Sequence, residues 1–251
     1  MNAGRDAAPS CRVRVPATTA NIGPGFDCLG LALDLWNEVR FSLEGDGVLA
    51  TAEGVPEPGL PRDERNLVAR AFLRLCEEAG VAAPPGLRIH SRIRVPMDSG
   101  LGSSSTAIVA GLLGANTLMG RPFGRDRLLE LAADIEGHPD NVAAALLGGL
   151  TIVVQKGERL LTKKILVPEV HVALAVPDLP PFDTVDDAPI AKRLTPGPGN
   201  TPGETAQAPA CIARPHADNR HRLPTSRADP DVALAVRSIA HDQAHIVPPR
   251  H

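Results

Sequence analysis

Tyrosine is absent from this chain of 251 residues, tryptophan occurs once and phenylalanine five times, so aromatic rings make up 2% of it. A core must therefore be assembled from Leu, Val, Ile and Ala, for which an apolar content of 43% is sufficient. Positive charge is not in excess: 26 Lys and Arg against 29 Asp and Glu give a net charge of −3, and no basic stripe argues for a nucleic-acid surface. No apolar run approaches the ~18 residues of a membrane helix, and residues 1–10 contain no apolar signal core, so neither a membrane span nor a secretory leader is expected. Cysteine is sparse and scattered. Cys11, Cys28, Cys76 and Cys211 lack metal-ligand spacing and read as free thiols of a reducing cytoplasm.

Against these absences stands one dense segment, Val95-Pro96-Met97-Asp98-Ser99-Gly100-Leu101-Gly102-Ser103-Ser104-Ser105-Thr106. The alternating run from Gly86 to Val95 predicts a half-buried strand before it, and Ala107 to Leu113 predicts a buried helix after it. A glycine-serine turn between strand and helix presents unpaired N–H groups at the positive end of a helix dipole, which is a site for phosphate. Gly100 and Gly102 allow the backbone to close around an anion, and the hydroxyls of Ser103 to Thr106 add donors or a magnesium ligand. The plainer alternative is a serine-capped helix, although four hydroxyl residues exceed what a cap requires. No G-K-[ST] follows, so this is not a Walker loop.

Up to Phe182 the chain alternates strand and helix patterns. Strands are predicted at Cys11–Val15, Leu31–Leu43, Thr151–Gln155 and Val170–Val176, and helices at Asp63–Ala79, Arg125–Glu136 and Pro139–Leu147. In the first helix Leu67, Val68, Ala71, Phe72, Leu75 and Cys76 share one face, and Gly80 stops it. From Asp183 onward the pattern is lost: ten of 69 residues are proline, five are histidine and none is aromatic. Apart from Val232–Ile239 nothing there is periodic, which predicts disorder or local helix only.

Three segments in order resemble the homoserine kinases, a branch of the GHMP small-molecule kinases. They are Pro16-Ala17-Thr18-Thr19-Ala20-Asn21-Ile22-Gly23-Pro24-Gly25-Phe26-Asp27-Cys28-Leu29-Gly30, the glycine-serine loop, and Glu136-Gly137-His138-Pro139-Asp140-Asn141 with its helix to Gly149. The first is the specific one; the loop alone points only to the superfamily. The resemblance implies an α+β GHMP kinase fold, with an N-terminal domain of the ribosomal-protein-S5 type followed by a ferredoxin-like C-terminal domain. On that basis residues 1–155 are the ATP-binding domain, 156–182 the start of an incomplete second domain, and 183–251 a disordered tail outside the family, as in a truncated or frame-shifted chain.

The resemblance also implies an activity, ATP-dependent phosphorylation of L-homoserine on the way to threonine, with ATP and Mg2+ as cofactors. Its partners are then a small-molecule substrate, with no nucleic acid and no membrane, and it admits a homodimer. Residue by residue, Pro96, Met97, Asp98, Ser99, Gly100, Leu101, Gly102, Ser103, Ser104, Ser105 and Thr106 are implied to hold the nucleotide. Asn21, Asp27, His138 and Asp140 are implied at the substrate, with Asn141 and His138 at the reacting groups. Each has a simpler reading: Asn21 and Asp27 as turn formers, Asp140 as a helix-start charge. Magnesium needs few hard oxygen ligands, and Ser104 with Glu136 is expected to supply them, Glu130 being the rival carboxylate. Asn66 matches a position near the nucleotide, and a helix-start asparagine explains it equally.

The family's third motif, a G-x-G-[PGS] loop, has no match. Gly197-Pro198-Gly199-Asn200-Thr201-Pro202-Gly203 imitates its composition, but prolines lack the N–H groups of a phosphate nest. Arginines for the substrate carboxylate have no identifiable counterpart. His241 and His245 share a helical spacing without a third metal ligand. The chain as written is therefore expected to turn over little or not at all.

Overall fold

The computed structural model describes residues 8–23, 25–55, 59–97, 99–157, 159–168, 171–175, 212–214, 233–236 and 243–247. Asp98, Pro24, Gly197–Gly203 and His241, singled out above, lie outside the described residues.

A single long strand organises the fold. β2 (Gly25–Ser42) pairs antiparallel along its length with β1 (Ser10–Asn21). At its C-terminal end it also pairs with β4 (Gly86–Arg92), which carries β3 (Gly47–Glu53) in parallel. Near its N-terminal end it pairs through Leu29–Leu31 with β5 (Leu150–Lys156), which carries β6 (Arg159–Ile165). The specific first motif is thus a hairpin continuous with the sheet, its turn lying at the expected glycines. β6 belongs to this same sheet, so the sheet runs past the boundary expected at 155/156. β3 and most of β6 went unpredicted: β3 is short and rich in small residues, and β6 is rich in lysine, so neither shows a clean apolar alternation.

Helices α1 (Leu67–Glu78), α2 (Ser103–Leu118), α3 (Arg125–Glu136) and α4 (Asp140–Leu147) share a core with the sheet. The predicted face of α1 is buried from Val68 to Cys76, and the helix ends at Ala79 ahead of Gly80 in the left-handed region. α2 is apolar nearly all round and lies inside, between α1, α3, α4 and β1. Gly111 makes that position available: a Cβ there would overlap the Val68 carbonyl and sit 2.7 Å from the Ala71 Cβ. Phe41 and Phe72 stack at 5.7 Å in this core, two of the chain's few rings.

β7 (His171–Ala175) forms a second, three-stranded sheet with β8 (Ile212–Arg214) and β9 (Ala233–Val236), and β10 (His245–Val247) adds to the outer edge of β1. These described residues beyond 182 are strands, in contrast to the disorder expected there. The reason is partnership: β8 and β10 are too short to be periodic, β9 lies within the one periodic stretch, Val232–Ile239, and each finds a strand already in place. Around β10, Ala244 is 5% exposed in the main core, and the His245 ring meets Trp36 edge-on at 5.7 Å. Arg14 covers the same indole, 4.8 Å from its centre. His245 is accordingly a packing residue, and no group of three or more metal-ligating side chains occurs among the described residues.

Cys11 donates from Sγ toward the Gly114 carbonyl, and burial pushes its thiol up to about 11 from an ordinary 9.0. An unfolded chain loses this proton between pH 9 and 11 while the folded one keeps it, so this residue's contribution to stability falls as pH rises through that window. Iodoacetamide at pH 7.5 is expected to label Cys11 at about one-hundredth the rate of an unperturbed thiol, read by peptide mass spectrometry.

Candidate active site

α2 begins without a side-chain cap. Its N-cap is Gly102, left-handed at φ 66° and ψ 36°, which places Ser103 to Thr106 inside the first turn. The serine-cap alternative therefore fails. The first intrahelical bond runs from Thr106 N–H to the Gly102 carbonyl at 2.9 Å, leaving Ser103, Ser104 and Ser105 N–H without an intrahelical acceptor. Gly100 is also left-handed, at φ 71°.

A cavity of about 460 Å3 is lined by this turn, by the loop residues Met97 and Ser99–Gly102, and by Glu136, His138 and Asn141. Its apolar lining includes Leu60, Pro61, Leu67, Val68 and Ile93. A volume of this size with one polar and one apolar lining suits a small ligand of mixed character. The cavity brings together most of the residues expected at the nucleotide and the reacting groups. Pro96 and Ser105 are not among its lining residues, though Ser105 is fully buried beside it.

Gly137, left-handed at φ 93°, ends α3 and turns the chain so that Glu136, His138 and Asn141 all line the one cavity. Glu136 Oε1 accepts hydrogen bonds from Ser104 Oγ at 2.6 Å and Ser105 Oγ at 2.9 Å. Its side chain is only 7% exposed. Glu130, the rival carboxylate, instead pairs with Arg127 at 2.9 Å and does not line the cavity. Arg127 also bridges to Glu78, and together with Arg74 it holds the Glu78 carboxyl below its ordinary range.

Asp140 differs from expectation. Its carboxylate is 2% exposed and faces inward, where Oδ1 accepts from Asn141 N–H at 2.7 Å and lies 2.7 Å from His138 Nδ1. It is placed to orient His138 rather than to line the cavity; the first turn of α4 offsets the cost of burying the charge. Asn66 lines the cavity but has both ends of its amide engaged. Its Oδ1 caps α1 through Val68 N–H at 3.0 Å, and Nδ2 donates to the Pro61 carbonyl at 2.9 Å. Asn21 and Asp27 stand at the tip of the β1–β2 hairpin, outside the cavity lining. Asp27 N–H donates to Asn21 Oδ1 at 3.0 Å, and Asn21, Ile22 and Asp27 all have positive φ, so turn formation accounts for part of what these residues do.

Two residues that build the site were given no role by the sequence: Asn37 lies outside the three segments, and Thr18 lies within the first. Asn37, in the middle of β2 and 6% exposed, accepts Arg94 N–H at 2.8 Å and Val95 N–H at 3.0 Å, and donates from Nδ2 to Thr106 Oγ1 at 2.8 Å. One amide thereby fastens both ends of the glycine-serine loop. Thr18, fully buried on β1, donates its N–H to the Leu101 carbonyl at 3.0 Å and its hydroxyl to Asn141 Oδ1 at 2.8 Å.

A mixed sheet covered by helices, with a glycine-capped helix opening on a cavity, is the N-terminal half of a GHMP kinase fold. A profile described as the GHMP kinases N terminal domain matches residues 66–149. Over this region the chain is similar to the GHMP kinases, and the relatives it matches are homoserine kinases. It is 50% identical over 153 residues to a homoserine kinase of Prochlorococcus marinus (strain MIT 9515), covering 59% of this chain and 47% of that one. A homoserine kinase of Synechococcus sp. (strain WH7803) is 55% identical over 148 residues, covering 57% and 46% respectively. The crystal structure of homoserine kinase from Cytophaga hutchinsonii ATCC 33406 superposes with a TM-score of 0.63 at 32% identity, over 78% of this chain and 62% of that one. The chain spans about half the length of the curated relatives it matches. No helix among the described residues is long and apolar enough to cross a membrane.

Proposed function

We propose that this chain binds ATP with magnesium and directs its γ-phosphoryl group to the hydroxyl of L-homoserine. The observation that carries this reading is the meeting of Ser104 and Glu136 beside the open N–H groups of α2. GHMP kinases use ATP. Magnesium takes hard oxygen ligands and keeps several waters, so one carboxylate, one hydroxyl and the phosphates form a sufficient set. In this assignment Ser104 and Glu136 hold the metal, the Ser103–Ser105 N–H groups and the loop from Pro96 hold the phosphates, and the apolar lining takes the base. Bound magnesium would draw charge from the phosphates during transfer.

The substrate half rests on His138, oriented by Asp140, and on the hairpin tip. With Asn21 Oδ1 engaged by the turn, its Nδ2 and the Asp27 carboxylate are the groups offered to the polar end of an amino acid. Asn141 is assigned to the reacting groups. A loose phosphoryl-transfer transition state asks mainly for positioning and charge stabilisation, which these residues supply without a committed base. Scattered free thiols at Cys11, Cys28 and Cys76 support a cytoplasmic location, and sedimentation of the purified chain tests for the homodimer.

Excess MgATP at about a hundred times its Kd is expected to raise the melting temperature by roughly 5–10 °C. Homoserine-dependent ADP release should accompany it, and an amino acid without the side-chain hydroxyl should give none. Stabilisation with no turnover at all supports a second reading, a nucleotide-binding chain without transferase activity. Failure of ATP to stabilise the chain overturns both readings.

A further inference from the structure

We infer that Thr18 is a positioning residue for phosphoryl transfer, acting through Asn141. The inference rests on the kinase reading above and adds to it a role for a residue of the first segment.

Thr18 is fully buried where three segments converge. Its N–H holds the glycine-serine loop at Leu101 (3.0 Å), and its hydroxyl donates to Asn141 Oδ1 (2.8 Å) at the start of α4. Gly102 lies so close that a Cβ on it would overlap Thr18 Oγ1 and come within 3.3 Å of Asn141 Oδ1. The contact therefore ties β1, the loop and α4 together at one point on the cavity wall.

The consequence lies in the chemistry of an amide. Asn141 has one accepting end and one donating end. Thr18 fixes the accepting end toward the protein, which fixes the donating end as well. Among the described residues no buried side-chain nitrogen or oxygen lacks a partner, and Nδ2 of Asn141 makes no hydrogen bond to any of them. The NH2 group of this cavity-lining residue is therefore accessible. An NH2 group held toward the cavity is a donor for the oxygens of the terminal phosphoryl group. Without the threonine hydroxyl the amide can rotate by half a turn and present its oxygen instead, which repels phosphate. Thr18 thus selects the orientation of Asn141 that attracts the transferred group.

The test compares affinities for ADP and for a non-hydrolysable ATP analogue, both with magnesium, by titration calorimetry on the full chain. Thr18→Val is expected to lower the ratio of analogue to ADP affinity about tenfold, the scale of a hydrogen bond to a charged group. Thr18→Ala, which only removes atoms, gives the same comparison should the valine methyl crowd Gly102. Thr18→Ser keeps the hydroxyl and is expected to restore the ratio. In an Asn141→Ala background, Thr18→Val should change the ratio no further. Equal losses for ADP and analogue, or independent effects of the two substitutions, would show a merely structural threonine and overturn the inference. If the unaltered chain binds neither nucleotide, the kinase reading itself falls, and the inference with it.

Discussion

Replacing Asn37 with leucine is expected to destabilise the chain by about 3–5 kcal/mol, measured by urea denaturation at constant m. The leucine fills similar space but accepts nothing, so the N–H groups of Arg94 and Val95 lose their acceptor in a largely buried position. Thr106 suffers less, because its hydroxyl still donates to the Ser103 carbonyl at 2.7 Å. Asn37→Asp separates stability from binding. The carboxylate keeps both backbone bonds, so stability should fall by no more than ~1–2 kcal/mol. It also places a negative charge in the cavity lining, and nucleotide affinity should drop by at least about tenfold. Unchanged affinity in the aspartate variant would dissociate this cavity from phosphate binding.

Gly102→Ala should be nearly as damaging. A left-handed φ of 66° costs an alanine roughly 1–2 kcal/mol, and the new Cβ collides with Thr18 Oγ1 as well. A total loss of about 2–4 kcal/mol is expected, with nucleotide-dependent stabilisation abolished. Gly120→Ala is the matched control. Its φ of 77° imposes the same strain, but nothing lies within 4 Å of its Cβ, so it should lose only the strain energy and keep nucleotide binding. A similar response of the two variants to nucleotide would remove the special role assigned to the α2 N-terminus.

Much of this site was legible because its signals are local. A strand, two glycines, four hydroxyl residues and an apolar helix follow one another within a few turns of chain, and each constrains the next. α3 could be read to its last residue because Gly137 marks its end, and that in turn placed Glu136, rather than Glu130, next to Ser104. Asn37 and Thr18 were invisible for the opposite reason. Each sits in a strand, where a buried polar residue interrupts the alternation without announcing its partner, and each partner is remote in sequence. The contact of Asp140 with His138 was not legible, because a charge at a helix start usually faces water, whereas this one turns back to the imidazole. β8 and β10 eluded pattern reading because three residues contain no period, and the Val232–Ile239 pattern that holds β9 did not announce a strand; only the waiting edges of β7 and β1 give them a place.

The pairing of Arg12 with Val247 brings opposite extremities of the described chain together across one ladder. A fluorescent donor and acceptor placed near these two positions would transfer energy efficiently in the native protein and lose that transfer when the ladder opens. Such a pair would report the integrity of the whole sheet from two points that are adjacent only when it is folded.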